Sequence, residues 1–82
     1  MVPSKNKILK DLDELVATNQ GVFERCKAIA DDPACSPTDR REAVYVANEA
    51  LQQSRSYALL AEQLRAGVID RKHAAFVAMY RR

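Results

Sequence analysis

Two long apolar stripes, each with members alternately four and three residues apart, constrain the fold of this 82-residue chain more than any other feature. The first stripe comprises Ile8, Leu12, Leu15, Asn19, Val22, Cys26 and Ile29, with a second row beside it formed by Leu9, Val16, Phe23 and Ala30. Apolar residues at this spacing share one face of an α-helix. The pattern therefore predicts a first helix over about residues 4–30, with an apolar face wider than a two-stranded seam requires.

The second stripe predicts another long helix over about residues 37–66. Ser36 and Pro37 form a strong start signal, and Gly67 is a typical residue just beyond a helix end. The stripe comprises Ala43, Ala47, Ala50, Ser54, Tyr57, Ala61 and Leu64, and it is widened by Val44, Val46, Leu51, Ala58 and Leu60. Because alanine is small, a neighbouring helix can approach this face closely.

A third, shorter helix is predicted over about residues 70–81, with Asp70 as its N-cap. Its expected apolar face comprises Ile69, His73, Phe76, Val77 and Tyr80. The sequence thus predicts a single all-α domain over residues 1–82, in which a long antiparallel helical hairpin carries a short third helix at its open end. A core this small is marginal, and the hairpin's apolar faces exceed what the third helix covers, so we expect self-association, as a homodimer, to complete a bundle.

Asn19 interrupts the first stripe, and two interpretations of it remain open. A polar residue at such a seam position can specify the register or the number of associating helices, at a cost in stability. Alternatively, Asn19 and Gly21 mark a local bend where another helix passes closely.

The sequence does not favour an enzyme, a cofactor or a bound metal ion. It contains neither a glycine-rich phosphate loop nor a dinucleotide-binding motif, and nothing in it is placed to form a triad with the single histidine, His73. We expect the His73 side chain to be half-buried and to pack against its apolar neighbours. Candidate metal ligands occur without the spacing of a metal site; they are Cys26, Asp31, Asp32, Cys35 and His73. The two cysteines are expected to be free, Cys26 buried and Cys35 exposed, with a disulfide as the less favoured alternative.

The net charge is only +2, but its distribution is uneven. The predicted hairpin gathers most basic residues at one end, the basic pole, formed by Lys5, Lys7, Lys10, Arg65, Arg71, Lys72, Arg81 and Arg82. Such a pole suits an acidic protein or a phosphate backbone, although an ordinary solvated surface has a similar composition. With neither a signal peptide nor a membrane-spanning stretch evident, we expect a cytoplasmic protein that does not enter a membrane.

The face of the second helix opposite its apolar stripe is unusual because it is uncharged. This outer face comprises Tyr45, Gln52, Leu59 and Gln63. A tyrosine and a leucine among amides are typical of a docking surface, although scattered exposed apolar residues are also common. The sequence therefore favours a non-enzymatic protein-interaction module, an adaptor, regulator or inhibitor of the kind frequent among small bacterial and phage proteins. The alternative is a nucleic-acid-binding regulator that uses the basic pole.

Overall fold

The computed structural model describes residues 2–80. Within this range the chain forms three α-helices, α1 (Lys5–Asp31), α2 (Pro37–Arg65) and α3 (Arg71–Tyr80). Within that range no residue belongs to a strand. The long helices α1 and α2 pack against each other as an antiparallel hairpin, and α3 packs more lightly on the open end, opposite the turn at residues 32–36. The predicted all-α hairpin with a short third helix is confirmed.

Both long helices begin after a capping serine, Ser4 for α1 and Ser36, part of the predicted start signal, for α2. The hydroxyl of Ser4 accepts a hydrogen bond from the backbone N–H of Lys7 at 3.2 Å, and the hydroxyl of Ser36 accepts one from Asp39 at 3.1 Å. Each bond satisfies a backbone donor that has no partner inside the helix. Pro37 follows Ser36 at the first helical position, where its missing N–H costs nothing.

The end of α2 depends on the backbone of Gly67. This residue has φ of 75°, a left-handed conformation that only glycine adopts without strain. Its N–H donates to the carbonyl of Leu64, and the N–H of Val68 donates to the carbonyl of Gln63. This pair of bonds is a Schellman motif, which terminates the helix and releases the chain towards α3. There the Asp70 carboxylate caps the new helix, as predicted, by accepting from the N–H of His73 at 2.8 Å.

The turn between the long helices is held by side chains from both of its ends. The Asp32 carboxylate accepts a hydrogen bond from the N–H of Ala34 at 2.9 Å. From α2, the Arg40 guanidinium donates to the carbonyl of Ala30 at 2.9 Å. A cation at a helix C-terminus satisfies a free carbonyl and interacts favourably with the helix dipole, so Arg40 links the two helices across the turn.

The hydrophobic core lies at the open end of the hairpin. Its largest fully enclosed side chains are Leu12 and Tyr57, and the other buried members are Ile8, Leu60, Ala61, Leu64, Ala74 and Ala78. Towards the turn, the buried residues of α2 are all small, namely Ala43, Ala47, Ala50 and Ser54. The α1 stripe residues that face this end are only half-buried, and Ile29 is exposed. Two helices alone cannot enclose both sides of a seam, so the core thins where α3 no longer covers it.

The predicted apolar face of α3 is wrong. Its buried residues are Ala74 and Ala78, whereas Phe76 is 56% exposed and His73 is exposed rather than half-buried. Two alanines one turn apart allow α3 to lie close to the hairpin, and a phenylalanine on that face would hold it away. Ile69 and Val77 are half-buried at the edge of the contact. The side chain of Tyr80 lies outside the described residues.

Candidate interaction surfaces

The outer face of α2 presents two large apolar side chains to solvent. Tyr45 is 66% exposed and Leu59 is 54% exposed, with exposed Gln52 midway between them. At 1.5 Å per residue, the two apolar side chains lie about 21 Å apart along the helix. Gln63 is only half-buried and lines a shallow cavity of about 210 Å³ shared with α3. Tyr45, Gln52 and Leu59 therefore form one accessible row along α2, and the less accessible Gln63 lies at the end of this row.

The basic pole contains nearly as many acids as bases. In residues 2–14 and 62–80 there are six Lys or Arg residues and five Asp or Glu residues. Lys7 pairs with Asp11 at 2.9 Å, and Arg65 pairs with Asp13 at 3.2 Å. Lys5, Lys10, Arg71 and Lys72 are exposed at the same end, while Arg81 and Arg82 lie outside the described residues. The described part of the pole is thus a mixed-charge surface, which attracts a phosphate backbone less strongly than a purely basic one.

Asn19 is satisfied by its own helix. Its side-chain amide donates to the backbone carbonyl of Leu15 at 2.8 Å, and the residue is half-buried. An amide bonded back to the preceding turn does not require a polar partner on another helix. At Gly21, an added Cβ would have only the Arg25 guanidinium within reach, at 3.4 Å, so no other helix passes closely there.

A row of apolar side chains along one side of the hairpin is a feature that the sequence did not assign to a site. This flank stripe comprises Leu9, Val16, Phe23 and Ala30 on α1 with Val44, Leu51 and Ala58 on α2. All seven are half-buried or exposed, and Val44 is 49% exposed. Ala30 and Val44 line one shallow cavity near the turn, which shows that the two rows lie on the same side. At the open end the Arg65–Asp13 pair closes the stripe.

The third helix covers the opposite side of the hairpin. Its residues Lys72 and Ala75 share a cavity of about 500 Å³ with Ile8 and Asp11 of α1. On α2 its contact is with Leu60, one of the residues that widen the apolar stripe, and this leucine is buried. The flank stripe is therefore not covered by α3. In the sequence, the residues of the flank stripe form the rows that widen the two apolar stripes. The sequence did not predict the side of the hairpin on which α3 packs.

The two cysteines line one cavity near the turn. Cys26 and Cys35 are both free and half-buried, so Cys26 is less buried and Cys35 less exposed than predicted. The Cys35 thiol lies 3.7 Å from the Asp32 carboxylate. Burial raises the pKa of the Cys35 thiol, and the negative charges of Asp32 and Asp39 raise it further, while Arg40 opposes them. Cys35 is consequently a poor nucleophile at neutral pH.

Neither a cluster of metal ligands nor a membrane-spanning helix is found in the part of the chain that the structure describes. Across residues 2–80, no three His, Cys, Asp or Glu side chains converge as metal ligands. Nor does any helix in that range have an apolar stretch long enough to cross a bilayer. Comparison with protein-family models, curated proteins and solved structures gives no match. The function is therefore inferred from the surfaces of the chain itself.

Proposed function

We propose that this protein is a small, non-enzymatic protein-interaction module that acts in the cytoplasm as an adaptor, regulator or inhibitor of a partner protein, and that it does so as a homodimer. The observation that carries the proposal is apolar surface left over after all three helices have packed. It lies on two separate faces, the outer face of α2 and the flank stripe. Exposed aromatic and aliphatic side chains are the usual anchors of protein interfaces.

The two faces suit different roles because they point in different directions. Tyr45, Gln52 and Leu59 each directly follow a flank-stripe residue, and one residue turns a helix by about 100°. A second copy on the flank stripe would leave the outer face open to solvent. We therefore assign the outer face to the partner protein and the flank stripe to self-association.

The alternative function, a nucleic-acid-binding regulator, has weaker support. It depends on the basic pole, where acids are interspersed and two of the cations are in ion pairs. If nucleic acid were the partner, binding would fall steeply with salt and would depend on Arg71 and Lys72.

Site-specific photo-crosslinking in a native-host lysate tests the proposed function. A photoreactive residue at position 52, in the middle of the outer face, should capture a discrete protein, and the same residue at Glu24, on the outer side of α1, should not. Tyr45→Ser with Leu59→Ser should abolish capture without loss of helicity, because both side chains are mostly exposed. Nuclease treatment should have no effect. Equal capture from both positions would contradict the proposal, and loss of capture after nuclease treatment would favour the alternative.

A further inference from the structure

We propose that two copies of this chain associate through the flank stripe as an antiparallel dimer, in which α1 packs against α1 and α2 against α2 of the second copy. The turns then lie at opposite ends of a four-helix bundle. This inference rests on the self-association included in the proposed function and is independent of the partner protein.

The sizes of the stripe residues favour this arrangement. A two-fold axis through the middle of the stripe brings Phe23 opposite Val16 of the second copy, and Leu9 opposite Ala30. On α2 the same axis brings Leu51 opposite Ala58. These three contacts each pair a large side chain with a smaller one, while Val44 comes opposite Arg65 of the second copy. Layers of similar total volume pack at uniform density, without voids or overlap.

The other symmetric arrangement, with α1 packed against α2 of the second copy, pairs the same residues poorly. It brings Phe23 opposite Leu51, two large side chains, and Val16 opposite Ala58, two small ones. The bundle would be overfilled in one layer and leave a cavity in the next, and both defects are destabilising.

Charge at the border of the stripe on α1 favours the same choice. Asp13, whose bond to Arg65 places it beside the stripe, comes opposite Lys27 of the second copy, which is exposed. In the other arrangement Asp13 would come between Glu62, a like charge, and Arg65, which already pairs with Asp13 in its own chain. On α2 the residue nearest the axis is Arg55, which would face its own counterpart. Charge therefore favours this orientation at the Asp13–Lys27 contact of α1 and opposes it at Arg55 of α2, and the sizes of the stripe residues decide the choice.

The length of the hairpin also leaves room for a dimer interface along the flank stripe. The molecule measures 48 × 18 × 17 Å, so the flank stripe runs along a face of 48 by about 18 Å. Each partner in a protein interface of standard size contributes roughly 800 Å². A long face of the hairpin has dimensions on this scale, whereas the short ends of the molecule, at 18 × 17 Å, are too small.

Thiol cross-linking distinguishes the arrangements. In a background carrying Cys26→Ser and Cys35→Ser, Gln20→Cys lies beside the stripe next to the two-fold axis, and a short bismaleimide should convert it to a covalent dimer. Glu24→Cys, on the outer side of the same helix, is the matched control and should stay monomeric on a denaturing gel. If α1 packs against α2, Gln20→Cys should instead cross-link to a chain carrying Arg55→Cys. That result would overturn the proposed orientation while leaving self-association intact.

Sedimentation tests the surface itself. Phe23→Lys, in the middle of the stripe, should raise the dimer dissociation constant by roughly a hundredfold, the effect of losing a central apolar contact. Leu59→Lys, on the outer face, should not change it. Circular dichroism of both variants shows whether they remain helical. A wild-type protein that sediments as a monomer at every concentration would overturn both this inference and the homodimer of the proposed function, but not partner capture at position 52. An equal effect of the two lysines would overturn the flank stripe as the interface.

Discussion

At the scale of single residues, Asn19 shows how a polar group can occupy an apolar seam without specifying a partner. Its amide is bonded to the carbonyl of Leu15, so the donor is satisfied before any second helix is considered. The seam at this level faces small residues of α2, which leaves Asn19 half-buried. These observations favour a local role for Asn19 over the specification of register.

We therefore expect Asn19→Leu to stabilise the protein without changing its oligomeric state. A leucine adds apolar burial and removes a side chain that bonds back to its own helix, which together should raise the free energy of unfolding by about 1 kcal/mol. Thermal unfolding measures the first effect, and sedimentation over a concentration series measures the second. A broadened mass distribution would restore the interpretation in which Asn19 specifies register.

Cys35 is the residue whose chemistry the fold changes most clearly. Because its pKa is raised, the fraction of thiolate at neutral pH is smaller than in the unfolded chain. Alkylation by iodoacetamide, followed at Cys35 by mass spectrometry, should be slower in the folded protein than in denaturant. Asp32→Asn should accelerate it in the folded state, since asparagine removes the nearby charge and can still accept the bond from Ala34. The control Asp31→Asn should leave the rate unchanged, and a pH–rate profile that Asp32→Asn did not shift to lower pH would contradict this account.

At the scale of the helices, α1 carries a glycine that packing does not explain. Gly21 has no left-handed backbone and no close neighbour apart from the flexible end of Arg25. Gly21→Ala should therefore raise stability by about 0.5–1 kcal/mol, the usual gain of alanine over glycine inside a helix. Denaturant unfolding gives the change. The matched control, Gly67→Ala, should destabilise, because φ of 75° strains any residue with a Cβ.

The connection between α1 and α2 depends on Arg40 more than on its neighbour. Arg40→Ala removes the bond to the Ala30 carbonyl and should lower the free energy of unfolding by about 1–2 kcal/mol. Arg41→Ala provides the comparison, because Arg41 is exposed and forms none of the bonds that hold the turn. Equal losses from the two substitutions in urea unfolding would show that Arg40 contributes only its charge.

The helices also show which parts of the fold were predictable. The helix ends could be predicted because they depend on hydrogen bonds between residues close in sequence. The residues that form them are Ser4, Ser36, Gly67 and Asp70. The face of α3 that packs against the hairpin could not be predicted from the sequence. Residues 74–79 are all apolar, so periodicity does not select a face, and the alanines are buried because they allow close approach. The exposure of Tyr45, Gln52 and Leu59 could be predicted because it depends on the periodicity of one helix. The exposure of the flank stripe depends also on α3, which packs on the opposite side of the hairpin.

At the scale of the whole molecule, stability and association should be linked. An 82-residue chain with a core at one end is marginal alone, and anything that binds the folded state stabilises it by mass action. A dimer across the flank stripe would cover the half-buried side chains that α3 leaves open. The melting temperature should therefore rise with protein concentration.

Two leucines separate the contributions of the hairpin core and of the dimer. Leu12 is fully enclosed in the hairpin, so Leu12→Ala should cost about 2–5 kcal/mol at every protein concentration. Leu51 lies in the flank stripe and is only half-buried in one copy. Its replacement by alanine should cost little in dilute samples, where the chain is monomeric, and more in concentrated ones, where Leu51 packs against the second copy. Urea unfolding of both variants in dilute and concentrated samples measures the difference. A cost of Leu51→Ala that stayed constant with concentration would mean that the flank stripe remains exposed to water when the copies associate.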